Sequence, residues 1–304
     1  MFESKRICVI LNPSSGAESA RELSDVIQDT LRADGAAELH MRLTTGAEDA
    51  RNWGKEAADD GFDFVIAGGG DGTVTEVAHG VLRSAMSPAI GIVPLGTGNG
   101  MARVLRLTQD PRRSLAAMQT GKIVTLDALD VVSHDRACLL FLGAGLDAEI
   151  NRDADAEQKA RLGFLAYVKA TIANLSGRKN RPVTLVVDGQ ERQLLAHTVN
   201  VFNATHLAVL GFDIGPDAHP HDGVAELSVM SSPGFWPLVG QVLSILGRRT
   251  SKPELEPVRT LKLSAEPPML VHVDGDVIGK TPVEVRLLPA ALRFIADAGY
   301  EIPD

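Results

Sequence analysis

The first part of the chain alternates two patterns. Short strand-like runs occur at Arg6–Leu11, Glu38–Leu43, Phe62–Ala67 and Ala89–Pro94. Longer segments with helical spacing lie between them, at Ala17–Ala33, Ala47–Asp60 and Thr73–Ser84, with another after Asn99. Strand–helix alternation of this kind predicts a parallel sheet covered on both faces. Phe64-Val65-Ile66-Ala67 and Ile90-Gly91-Ile92-Val93 are nearly continuous in hydrophobicity, as strands buried on both faces must be.

The pattern changes near Thr125. A long helical stretch, Ala154–Leu175, is followed by β-type runs at Val183–Val187, Leu194–Asn203, Glu226–Met230, Thr260–Leu263, Leu270–Val273 and Val283–Leu287. Asp188-Gly189 and Asp274-Gly275 have the chemistry of tight hairpins, because Gly tolerates positive φ. This half predicts an antiparallel β domain. The expected division is an α/β domain over 1–128 and a β-rich domain over 129–304, with the C-terminal tail a candidate to pack back on the first.

Composition narrows the function. A chain of 304 residues buries roughly 75% of its unfolded surface and needs no disulfide or metal to fold. Lys and Arg number 30 against 39 Asp and Glu, a net charge of −9, which disfavours coating nucleic acid by bulk charge. Aromatics are only 4%, too few for a base-stacking platform. Cys8 and Cys138 each lie in an apolar run and are expected as buried thiols, which favours the cytoplasm. No signal-peptide pattern and no apolar stretch of membrane-spanning length is visible, so any membrane contact is expected to be peripheral.

The glycines cluster where strands end. Three loops follow successive strands: Asn12-Pro13-Ser14-Ser15-Gly16, Gly68-Gly69-Gly70-Asp71-Gly72-Thr73 and Gly96-Thr97-Gly98-Asn99-Gly100. Ligands of α/β sheets bind at such carboxyl ends. Gly lets backbone N–H groups approach an anion, and a helix N-terminus adds partial positive charge, so the set points to a polyphosphate. Asp71 inside a phosphate loop calls for a bridging cation, and Mg²⁺ suits one carboxylate plus phosphate oxygens. Any one of these loops taken alone is more often a simple tight turn. Two other motifs are discounted. Gly143-Ala144-Gly145-Leu146-Asp147-Ala148 has a dinucleotide-loop form but lacks the following acidic strand end. The segment Gly275–Thr281 approaches a P-loop but is one residue short, and Pro282 opens a strand.

Taken in order, Asn12-Pro13-Ser14-Ser15-Gly16, Gly69-Gly70-Asp71-Gly72-Thr73 and Pro94-Leu95-Gly96-Thr97-Gly98-Asn99 resemble the diacylglycerol kinase catalytic domain family, in its stand-alone bacterial lipid-kinase form. The resemblance continues through Gly143–Ala148, Asp222-Gly223, Val273-Asp274-Gly275-Asp276 and Leu288–Arg293. It implies an N-terminal nucleotide-binding α/β domain, a C-terminal β-sandwich-like domain and an active site in the cleft between them. It implies ATP and Mg²⁺ as cofactors and phosphorylation of a lipid hydroxyl at a membrane surface, with a homodimer left open. By position, Thr44, the segment Gly70, Asp71, Gly72, Thr73, Val74, Thr75 and Glu76, and Thr97 would line the ATP site. Asp276 stands where the family carries its proposed general base, a glutamate. Asp222, with main-chain oxygens of His219 and Val224, matches a structural Mg²⁺ site, and Asp127 matches an acidic position linking that metal network to the nucleotide.

Several departures and rivals remain. Asp276 is one methylene shorter than glutamate. Asn99-Gly100 replaces the Asn-Asp of many diacylglycerol kinases, and a small residue here is found in sphingosine and ceramide kinases. Gly69–Thr73 is shared with NAD kinases, which keeps a soluble-metabolite kinase among the rivals; a catalytically silent binding module is the other. The apolar segment from Phe235 to Arg249, with Trp236, reads either as a membrane-interface helix or as a packed one. The basic runs Arg178–Arg181 and Arg248-Arg249 read either as lipid contacts or as solvated surface.

Overall fold

In the computed structural model the residues described are 1–15, 20–46, 48–145, 180–204, 208–209, 212–213, 218–231 and 255–302. Gly16, the helical stretch Ala154–Leu175, Leu146–Ala148, Arg178-Lys179 and the segment Phe235–Arg249 lie outside them.

The chain divides into two units, Met1–Ala128 with Pro289–Asp304, and Leu129–Leu288. In the first, β1 (Arg6–Leu11), β2 (Glu38–Leu43), β3 (Phe64–Gly69) and β4 (Ala89–Pro94) form a parallel sheet in the order β2-β1-β3-β4. Every residue of β3 and β4 is buried, whereas β2, at the edge, is half exposed. Helices α1 (Ala20–Ala33), α2 (Asp49–Asp59), α3 (Asp71–Leu82), α4 (Gly100–Val104) and α5 (Pro111–Thr120) connect and cover the strands. Leu23, Ile27 and Leu31 recur every four residues and bury one face of α1. Asp110 starts α5 by accepting the N–H of Arg113 at 2.9 Å, with Pro111 at the first helical position. α2 and α3 pack so closely that a side chain at Gly80 would collide with the Arg51 carbonyl, and this contact seats α3.

The glycine-rich segment after β3 differs from expectation. Gly68 and Gly69 are strand residues, paired with Leu11, Val93 and Pro94, and α3 starts at Asp71. Only Gly70 is left as a turn. Pairing with β4, and for Gly68 with β1 as well, holds the two preceding glycines extended.

Two strands cross the unit boundaries along the chain, β5 (Lys122–Val131) and the last strand, β18 (Val283–Ala296). The end of β18 pairs parallel with β4 through Arg293 and Phe294. The second unit holds β6 (Arg136–Cys138), β7 (Phe141–Gly145), β8 (Arg181–Val187), β9 (Gln190–Ala196), β10 (Thr198–Phe202), the short pair β11 (Ala208–Val209) and β12 (Phe212–Asp213), β13 (Ala225–Met230), β14 (Glu256–Val258), β15 (Thr260–Ala265), β16 (Leu270–Val273) and β17 (Asp276–Lys280). One antiparallel layer runs β9-β8-β15 to the start of β18, and the other runs β14-β13-β10-β7-β16-β17. Alternate residues of the two layers share one core: Val183, Leu185, Leu261, Leu263 and Val285 from the first, Leu142, Val199, Val201, Leu227 and Val271 from the second.

Both Asp-Gly pairs form hairpins with positive φ at each residue: Asp188 47° and Gly189 86°, Asp274 51° and Gly275 97°. The run Leu194–Asn203, expected as one strand, is two. β9 is a half-exposed edge strand of one layer, and β10 is a fully buried strand of the other. The chain changes layer at His197, whose N–H is held by the Met230 carbonyl at 2.9 Å. The near miss to a P-loop is strand β17 followed by β18, with no helix to hold a phosphate.

Candidate active site

The three loops after β1, β3 and β4 meet at one edge of the parallel sheet. Asn12 N–H reaches the Gly68 carbonyl at 2.8 Å, and its side-chain amide donates to Thr73 Oγ1 at 3.2 Å. Asn12 Oδ1 accepts the N–H of Ser14 at 3.0 Å and so shapes the turn Pro13–Ser15. Leu95 N–H joins the Gly69 carbonyl at 2.9 Å. A Cβ built on Gly96 would lie 2.7 Å from the Gly70 Cα, so these two turns touch backbone to backbone.

α3 begins in this cradle. Gly70 is its N-cap, and no side chain caps the helix. Its first N–H groups carry the positive end of a helix of 12 residues. A Cβ on Gly70 would sit 3.3 Å from the Gly96 Cα, so glycine at both positions keeps the approach to those N–H groups narrow and free of side chains. Asp71 flanks them. Its Oδ1 lies 3.4 Å from the N–H of Met101, near the start of α4.

The positions expected to line a nucleotide therefore divide by role. Ser14, Ser15, Gly70, Asp71, Gly72 and Thr97 are at least partly exposed beside the α3 N-terminus. Thr44 follows β2, its N–H on the Leu11 carbonyl at 2.9 Å, while Thr75 and Glu76 are half-buried in the first turns of α3. Gly69 and Val74 are less accessible: Gly69 is buried in β3, and Val74 is buried with its N–H on the Gly70 carbonyl at 3.1 Å. Thr73 is buried too, and its hydroxyl serves Asn12. Asn99 is likewise turned inward. At φ 47° its amide clasps Gly96 N–H (2.9 Å) and carbonyl (2.8 Å) and reaches Gln109 (3.1 Å), so it shapes the third loop from within.

Asp127, expected among the metal ligands, is buried and accepts the N–H of Ala290 at 2.7 Å. Ala290 has φ 49°, so this carboxylate secures a strained bend in the Leu288–Arg293 motif.

In the second unit, Asp276 opens β17 and is exposed. Asp222 is exposed in the turn before β13, its Oδ1 on the N–H of Val224 at 3.1 Å, and the His219 carbonyl accepts the N–H of His221 at 2.8 Å. Burial, then the charge of Asp222, raises the Glu226 carboxyl above its ordinary range. Among the described residues no group of three or more His, Cys, Asp or Glu side chains is arranged for a metal. A cation here would rest on Asp222, main-chain oxygens and water, a hard-oxygen set that fits Mg²⁺, and it would relieve the repulsion felt by Glu226.

One residue escaped sequence reasoning. The Asp274 carboxylate accepts three consecutive N–H groups, Leu139 (2.9 Å), Leu140 (2.9 Å) and Phe141 (3.1 Å). The Asp-Gly pair signals the turn; nothing local signals which strand the side chain will reach.

Comparison with known proteins places this arrangement. The diacylglycerol kinase catalytic domain matches residues 6–131, and the YegS C-terminal NAD kinase beta sandwich-like domain matches residues 141–296. The chain belongs to this two-part family, a class of lipid kinases. It is 30% identical over 289 residues to a Pectobacterium atrosepticum protein named "Probable lipid kinase YegS-like", covering 94% of each chain. It is 27% identical over 288 residues to the diacylglycerol kinase of Bacillus subtilis, covering 92% of each. A crystal structure of a diacylglycerol kinase from Bacillus anthracis superposes with a TM-score of 0.79 at 25% identity, covering 96% of this chain and 97% of that one.

Proposed function

We propose that this chain transfers the γ-phosphoryl group of ATP to the hydroxyl of diacylglycerol or a closely related lipid alcohol. The observation that carries this is the meeting of three loops around the N-terminus of α3, which no side chain caps, in a chain matched by both family models. Phosphoryl transfer asks for positioning and charge neutralisation more than covalent help. The N–H groups at the start of α3 and the turns at Ser14 and Thr97 hold the phosphates. Asp71, beside them, is the residue that would hold Mg²⁺, which supplies neutralising charge when bound with the nucleotide. Asp276 accepts the proton of the attacking lipid hydroxyl. Asp222, with main-chain oxygens of His219 and Val224, would hold a second, structural Mg²⁺.

The lipid is met at a membrane surface by peripheral contact; among the described residues no helix is long and apolar enough to cross a membrane. The test is incubation of the full chain with γ-labelled ATP and, separately, dioleoylglycerol in mixed micelles, sphingosine, and NAD, with products identified by mass spectrometry. Label in phosphatidic acid is expected. Label in sphingosine phosphate would move the substrate class, label in NADP alone would make the chain a soluble-metabolite kinase, and nucleotide binding without transfer to any acceptor would make it a binding module.

A further inference from the structure

The hairpin that presents Asp276 is weakly held by its own sheet. β17 is the edge strand of its layer, five residues long, and its register against β16 shifts between Val271 and His272. A Cβ built on Gly275 finds no atom within 4 Å, so the tip packs against nothing there. Both turn residues occupy the left-handed region, which an aspartate enters only at a cost.

The Asp274 side chain is what ties this tip down. Its Oδ2 takes the N–H of Leu139, and its Oδ1 takes those of Leu140 and Phe141, with the Cys138 thiol donating to Oδ1 at 3.4 Å. The receiving segment is itself fastened. Asn203 donates its side-chain amide to the Leu139 carbonyl at 2.7 Å, and the N–H groups of Asn203 and Ala204 reach the Leu140 carbonyl at 2.8 and 3.0 Å. Asp274 N–H closes the loop on the Phe141 carbonyl at 3.0 Å. Charge-assisted bonds to consecutive N–H groups are the strong kind.

We propose that Asp274 is a positioning residue, whose carboxylate fixes where Asp276 stands; this rests on Asp276 being the base. The chain carries its own control. Asp188, in the other Asp-Gly hairpin, hooks the N–H groups of Arg259 (3.1 Å) and Thr260 (2.7 Å) in the same manner, with no candidate catalytic group two residues on.

The experiment compares Asp274→Asn, Asp188→Asn and Asp276→Ala in the full chain, with γ-labelled ATP and dioleoylglycerol micelles, well below each variant's melting temperature. Asp274→Asn turns an acceptor facing the Leu139 N–H into a donor. A misplacement near 1 Å is worth on the order of 100-fold, so kcat is expected to fall ~10- to 100-fold with KM for ATP unchanged. Asp188→Asn is expected to lower the melting temperature but not kcat. If Asp274→Asn does not fold, Asp274→Glu, which keeps the charge and lengthens the arm, gives the same comparison. Wild-type kcat in the folded Asp274 variant, beside a dead Asp276→Ala, overturns the positioning role and leaves the base intact. So does a matching loss of kcat in Asp188→Asn. Full activity in Asp276→Ala overturns the base assignment instead.

Discussion

Replacing Gly96 by alanine tests the phosphate cradle with one methyl group. The new Cβ would lie 2.7 Å from the Gly70 Cα and 2.9 Å from Asn99 Oδ1. Carbon–carbon contact is comfortable from about 3.5 Å, so the two turns must separate by roughly 0.8 Å. Neither can yield by a side-chain rotation, because the atom met is backbone and Asn99 already clasps Gly96 at its N–H and carbonyl. Gly70 caps α3, so the displacement falls on the N–H groups proposed to hold the phosphates. Overpacking of this kind costs about 1–3 kcal/mol of stability, while a shift near 1 Å at a reacting centre is worth about 100-fold in rate. The expected result is a folded protein whose kcat/KM for ATP falls ~10- to 100-fold. Steady-state turnover at varied ATP, with calorimetric titration of a non-hydrolysable ATP analogue, measures it. Gly189→Ala is the comparison, since its strain (φ 86°) lies in a hairpin with nothing within 4 Å of the added carbon. Gly96→Ala binding and turning over ATP within threefold of the wild type, in a folded protein, would refute the cradle.

Asp71→Asn keeps an acceptor for the Met101 N–H but removes the charge, so the fold should survive while labelling of the lipid is lost; retained labelling removes Asp71 from the mechanism. Burial pushes the Cys8 thiol up to about 11, so the folded state holds that proton more tightly than the unfolded chain. Its stabilisation is complete below the ordinary thiol value of 9.0 and is lost as pH rises through 11. The stability gap between wild type and Cys8→Ala should therefore narrow by about 2–3 kcal/mol over that alkaline window, read by denaturant titration; a constant gap would show that the thiol does not sense its burial. Mg²⁺ at a hundredfold excess over its dissociation constant should add about 2.7 kcal/mol of stability. Asp222→Asn should abolish the resulting rise in melting temperature, and a rise of equal size in both proteins would remove Asp222 from the metal site.

The order of strands and helices in the first unit was written in hydrophobic periodicity, because strands buried on both faces must be apolar throughout and the helices between them amphipathic. The two hairpins were equally legible, since Asp-Gly is among the few pairs that accept positive φ twice. The candidate loops could be read as well, from glycines clustered at strand ends. What each residue does there could not. Gly68 and Gly69 look like loop by composition, yet pairing with β4, and for Gly68 with β1 as well, makes them strand. Asn99 and Asp127 look like ligands, and the structure adds a second task that composition did not signal: each holds a bend, Asn99 within its own loop and Asp127 across 163 residues of chain. The break between β9 and β10 carries no turn residue at all; it exists because one half of the run fits an edge and the other a buried centre. Asp274 finds its three N–H partners 133–135 residues away. Local sequence thus determined the elements and the chemistry on offer, because propensity and periodicity act over neighbouring residues. Only the tertiary structure decided which polar groups face a substrate and which are spent holding backbone, because hydrogen-bond partners are assigned by proximity in space.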